Sequence, residues 1–91
     1  MTADPGGAGV SLPPLTRPVK RSVTLDGHPT SVSLEDAFWT ALQDESRRRG
    51  MTPAQLISTI DHARPPEVGL ATALRLFVLA QAQLAPVRPP D

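Results

Sequence analysis

Asp26-Gly27 separates two short runs rich in β-branched residues, Val19 to Leu25 and Thr30 to Leu34. A two-residue hairpin connection takes a type I′ turn, whose central residues both need positive φ, and Asp-Gly meets that need. The pair therefore fixes a register. Leu25 faces His28, Val23 faces Thr30, Ser22 faces Ser31 and Arg21 faces Val32. Side chains in a strand alternate with period two. Val23, Leu25, Val32 and Leu34 then share an apolar face, and Lys20, Ser22, Thr24, Ser31 and Ser33 share a polar one. Pro29 cannot donate to a ladder and weakens the second strand locally.

Three helices are expected after the hairpin. The first starts at Ser33 or just after it, because Ser33 and Asp36 resemble a capping box, with Asp in place of Glu or Gln. Glu35 and Asp36 suit the positive end of its dipole, and Arg47, Arg48 and Arg49 suit the negative end. Gly50 is the left-handed stop. This helix covers about residues 34–49 and places Phe38, Ala41, Leu42 and Glu45 on one face, with Asp44 and Glu45 read as solvated charges. The second has the best local start signal. Thr52 is an N-cap, Pro53 fits the first helical position, Gln55 completes the box, and Met51 and Leu56 stand where a hydrophobic staple goes. It carries Leu56, Ile57 and Ile60, ends before Pro65-Pro66, and covers about 52–63. The third, about 70–84, places Leu70, Ala73, Leu74, Phe77, Val78 and Leu84 at helical spacing, widened by Leu76 and Leu79.

Residues 1–18 hold Gly6, Gly7 and Gly9 with Pro5, Pro13, Pro14 and Pro18, and residues 85–91 hold Pro86, Pro89 and Pro90. Both segments are expected to be disordered tails around one domain, 19–84 (hairpin 20–34). A domain of about 65 residues buries only around 60% of its unfolded surface, which is marginal for a monomer. There is no cysteine, so no disulfide can staple it. Oligomerisation is the remaining common remedy. The third helix, apolar on most sides, points the same way, since such a helix seeks burial on most sides.

The net charge is zero, which excludes a polycation but not a local basic patch. No apolar run approaches the ~20 residues of a membrane span, and the start does not resemble a secretion signal; a cytoplasmic protein is expected. With only Phe38, Trp39 and Phe77 as aromatics, an aromatic base-stacking platform is not expected. Chemistry for an enzyme is thin. His28 and His62 have no partner at metal-ligand spacing, Asp61-His62 do not share a helix face, and Gly6-Gly7-Ala8-Gly9 precedes no strand-helix pattern. No metal, no cofactor and no catalytic residue are expected.

The order is strand, capped helix, Arg49-Gly50 turn, and Thr52-capped helix carrying Leu56-Ile57. In this, residues 30–63 resemble the ribbon-helix-helix family of DNA-binding domains. The whole stretch Lys20 to Leu84 is similar to a bacterial subgroup of short members. The resemblance implies a mainly α fold with a short β-ribbon, formed as an intertwined homodimer whose strands pair antiparallel. Its dimer core would hold Val32, Leu34, Phe38, Leu42, Leu56, Ile57, Ile60, Leu74, Phe77 and Val78.

The function implied is a DNA-binding transcriptional regulator. In such a protein the ribbon enters the major groove, which admits two strands. Ser22, Thr24, Ser31 and Ser33 would face bases. Lys20, Arg21, Arg47, Arg48 and Arg49 would meet phosphates, and a phosphate would sit at the start of the second helix on Thr52 and Ala54, where free N–H groups and the dipole attract anions. The alternative is a protein-interaction module that presents its sheet, Trp39 or a helical face to a protein partner and binds no DNA.

Overall fold

The computed structural model describes residues 9–84. Residues 1–8 and 85–91, which make up much of the two expected tails, lie outside the described residues. Val10 to Pro18 form no helix or strand. Pro13 to Thr16 run past the start of the first helix, where they share shallow clefts with Glu35, Asp36, Ala37 and Phe38.

The hairpin forms as its turn dictates. Strand β1 (Val19–Leu25) pairs antiparallel with β2 (His28–Leu34), with Leu25 opposite His28, Ser22 opposite Ser31 and Lys20 opposite Ser33. Asp26 and Gly27 both take positive φ, 52° and 80°, the type I′ signature. The faces separate accordingly. Leu25, Val32 and Leu34 are buried and Val23 half-buried, whereas Lys20, Ser22, Thr24, Ser31 and Ser33 are all exposed.

Helix α1 (Asp36–Arg48) starts later than its sequence suggests. Its N-cap is Glu35, with no side-chain capping bond, because Ser33 stays in the ladder opposite Lys20. The expected Ser33–Asp36 box is therefore not formed. The helix ends as a Schellman motif. Gly50 has φ 69°, its N–H donates to Arg47 O at 3.1 Å, and the Met51 N–H donates to Ser46 O at 2.9 Å. Helix α2 (Pro53–Ala63) begins with a reciprocal capping box: the Thr52 N–H donates to Gln55 Oε1 at 2.8 Å and the Gln55 N–H to Thr52 Oγ1 at 3.1 Å. It stops at Arg64, held extended at ψ 144° by the proline that follows. Helix α3 spans Leu70–Leu84.

The helices pack on the apolar side of the hairpin, α2 against β1 and α3 against β2. Leu34, Leu42, Ile57 and Leu74 are fully buried, and Leu25, Val32 and Leu56 complete the core. Phe38, Ile60, Phe77 and Val78 are half-buried around it. Thus six residues expected in a core shared by two chains (Val32, Leu34, Leu42, Leu56, Ile57 and Leu74) are already buried within one. Helix α3 has two apolar sides. Leu74 faces the core, while Leu76 and Leu79, at 200° and 140° from Leu74 by 100° per residue, stay 58% and 50% exposed.

Candidate nucleic-acid interface

The outer face of the hairpin is an uninterrupted polar surface. Lys20, Ser22 and Thr24 of β1 lie beside Ser33, Ser31 and Pro29 of β2, and nothing among the described residues covers them. β1 flanks β2 edge to edge and leaves its outward face open. No ion pair among the described residues involves Lys20, so its charge is uncompensated there.

Arg21 is a correction to the expected phosphate set. Alternation puts it on the inner side with Val23, and its side chain is only 18% exposed. Its guanidinium lies 5.3 Å from the Trp39 ring centroid, a cation–π distance. It donates to Leu34 O and to the Asp36 carboxylate, while its Nε is buried without an acceptor. Arg21 and Trp39 therefore join the hairpin to α1.

The arginine run is exposed, and two carboxylates of α1 offset two of its three charges. Arg47 pairs with Asp44. Arg48 and Arg49 both pair with Glu45, at 2.6 and 3.0 Å, and Arg49 also lies over Phe77 and donates to Gln81. Glu45 is consequently buried, not solvated as its sequence context suggests, since two guanidinium groups replace its water.

At the start of α2 the capping box occupies the Thr52 and Gln55 amides, and Pro53 has none. The N–H of Ala54, the Thr52 hydroxyl proton and the helix dipole remain to meet an anion. The expected use of the Thr52 amide is thus withdrawn, because Gln55 already accepts from it. Ala54 and Gln55 line an open groove of about 470 Å³ with Thr24, Asp26, Met51, Ser58 and Thr59. The groove brings the end of the ribbon face and the start of α2 together.

Asp26 also holds the turn to α2. It accepts from Ser58 Oγ at 3.1 Å and lies 2.5 Å from His62 Nε2. The His62 hydrogen bond, then the Ser58 one, hold the Asp26 carboxyl below its ordinary value. In return, the bond to Asp26 and its negative charge push the His62 imidazole up. Local sequence gives no sign of this pairing, because the partners are 36 residues apart.

The other unforeseen group is Arg75, the only charged residue of α3. It donates to Glu35 Oε1 at 3.0 Å and to Ser33 O at 3.4 Å, and sits over the Phe38 ring. The Glu35 carboxyl is held low by its own backbone N–H and by Arg75. A single charge in an otherwise apolar helix was the available signal, since such a group needs a partner when it nears a core.

Among the described residues, no three His, Cys, Asp or Glu side chains cluster as metal ligands would, and no helix is long and apolar enough to cross a membrane. Comparison with curated proteins found no match, and comparison with solved structures found none. The family model described as Ribbon-helix-helix domain matches residues 18–82, a span that takes in the hairpin, α1, α2 and most of α3. With that match and a β-ribbon leading into capped helices around a Gly50 turn, the chain belongs to the ribbon-helix-helix domain family.

Proposed function

We propose that this protein is a dimeric DNA-binding transcriptional regulator whose ribbon face meets the major groove. Members of its family are generally DNA-binding regulators that act as dimers. The observation that carries the reading is the open outer face of the hairpin, with exposed Ser22, Thr24, Ser31 and Ser33 and the uncompensated Lys20. Two hairpins joined through β2 make a four-stranded sheet about 14 Å wide, from three strand spacings of ~4.8 Å. The major groove is about 12 Å wide. Hence the two β2 strands enter it, with Ser31 and Ser33 toward base edges, while the β1 strands ride at the rims. There Ser22 and Thr24, on the outer face, meet the edges of the groove and Lys20 meets phosphate.

Ala54 N–H and the Thr52 hydroxyl supply a second phosphate contact at the mouth of the neighbouring groove. Arg47, Arg48 and Arg49 add longer-range positive potential, reduced by Asp44 and Glu45. Serine makes single hydrogen bonds where Arg or Asn makes bidentate ones, so base discrimination per residue is modest. Shape and backbone contacts carry a large share of the affinity.

The test is a duplex titration at several salt concentrations. The expected result is affinity that falls with salt, with a slope shallower for Lys20→Ala by roughly one unit for each phosphate no longer neutralised. Thr52→Ala and the triple change Arg47, Arg48 and Arg49 to Ala should also weaken binding without dissolving the dimer. No salt-dependent retention on duplex DNA would sink the reading.

One observation favours a second reading, a protein partner. An apolar groove of about 390 Å³ runs between α2 and α3, lined by Ile60, Ala63, Pro65, Val68, Ala73 and Leu76 among others. A stable co-purifying protein, displaced by a bulky charged group at Leu76, together with absent DNA binding, would favour it.

A further inference from the structure

The groove between the ribbon end and α2 is lined by both Ala54 and Asp26. The Ala54 N–H is free to meet a phosphate, but a bare carboxylate beside it would repel one. In the structure Asp26 is not bare. It accepts from Ser58 Oγ at 3.1 Å and lies 2.5 Å from His62 Nε2. Ser58 and His62 are four residues apart on α2, so they share one helix face. The turn is held at two points against that face. Ser58 is neutral, so His62 is the group in direct contact that can cancel the carboxylate's charge. Imidazole is also the side chain whose charge changes near neutral pH.

We propose that the Asp26–His62 pair makes DNA binding sensitive to protons, by uncovering a negative charge beside the phosphate site of α2 when His62 loses its proton. This rests on the DNA-binding reading above and adds a regulator to it. With His62 protonated the pair is neutral and the groove accepts a phosphate. With His62 neutral, Asp26 faces the phosphate uncompensated. The Asp26 side chain is 57% exposed and that of His62 64%, so both are open to what enters the groove.

The charges around the pair are engaged elsewhere, with one exception. His28, on the hairpin, also faces Asp26. Lys20 and Arg21 lie at the other end of β1. On α2, Asp61 is near His62, and Arg64 pairs with it at 2.8 Å. In α3, Arg75 pairs with Glu35. In α1, Asp36 pairs with Arg21, and Asp44 and Glu45 pair with the arginine run. The bond to Asp26, then its charge, push the imidazole above its ordinary value, and the Asp26 carboxyl is held below its own. Between these limits only His62 of the two partners titrates. Affinity is therefore full below the raised value and falls as pH rises through it.

The test is binding of the full chain to a mixed-sequence duplex at low salt, at about pH 5.5 and about pH 8.5, on either side of the imidazole range. The unmodified chain should bind more weakly at the higher pH, by roughly two- to five-fold for each copy engaged, the scale of an exposed charge pair. His62→Arg keeps the positive charge and should bind tightly at both. His62→Gln should bind weakly at both. Asp26→Asn leaves no charge to uncover and should bind tightly at both; Asn tolerates the left-handed turn position. His28→Gln should keep the dependence.

A merely structural clasp would make His62→Gln and Asp26→Asn fail alike, whereas the proposal sends them in opposite directions at high pH. Equal losses in those two variants, or a dependence that survives in His62→Arg or vanishes in His28→Gln, would overturn it. If the duplex is not bound at either pH, the DNA-binding reading fails and takes the proposal with it. If the duplex is bound equally at both, only the proton-sensitive pair fails.

Discussion

Single side chains decide how the hairpin is held. Asp26 serves twice, as a turn residue at φ 52° and as the acceptor for Ser58 and His62. Since the imidazole is pushed above its ordinary 6.5, its contribution to folding is fully present below that value and fades as pH rises through the raised one. Asp26, held below its ordinary 3.8, contributes above that value and loses its contribution as pH falls through the lowered one. The clasp is therefore strongest between those limits. In an NMR titration His62 should titrate above 6.5, and Asp26→Asn should return it toward that value. An unchanged His62 titration in Asp26→Asn would contradict the pairing. At this scale the sequence was least informative. The fates of Asp26, His62 and Glu45 depend on which helix turn passes beside which strand, and no local pattern records that. Arg21 differs. The alternation that sent Val23 inward sent Arg21 inward too, so its place was legible and its charge alone suggested otherwise.

Elements, by contrast, were written plainly. The Asp-Gly turn, the Gly50 stop and the Thr52–Gln55 box each act within a few residues, so each could be read from neighbours. The start of α1 could not, because the choice between a cap and a strand position for Ser33 is settled by pairing with Lys20 in β1. Two substitutions separate these local devices. Gly50→Ala meets no steric neighbour but forces a side chain into φ 69°, and should cost about 1 kcal/mol. Ile57→Ala empties a fully buried position and should cost about 2–5 kcal/mol. Urea unfolding checks both. Equal losses would mean that Ile57 is not the better-packed site.

At the scale of the molecule, one chain closes a core yet, among the described residues, leaves two features without partners: the open edge of β2 and the outer side of α3. Arg75 reaches from α3 to that edge, so the two lie near one another. For the proposed dimer to gain more than strand hydrogen bonds, the second copy has to cover Leu76 and Leu79, which one chain leaves 58% and 50% exposed. Dimer formation makes the melting temperature rise with protein concentration. Leu76→Asp with Leu79→Asp should abolish that dependence while circular dichroism shows the helices retained. A melting temperature independent of concentration in the unmodified protein would remove the argument. Size and apolar spacing lead to the expectation of an oligomer, yet most of the core expected to be shared is already hidden within a single chain.

Arg75 also bears on what could be trimmed away. Ending the chain after α2 would do more than uncover Leu42 and Leu34. It would strip the guanidinium from the Phe38 ring, strand the Glu35 carboxylate, and leave the last carbonyl before the strand's end with only water to greet it. The third helix is thus the buttress of the ribbon rather than an appendix to it.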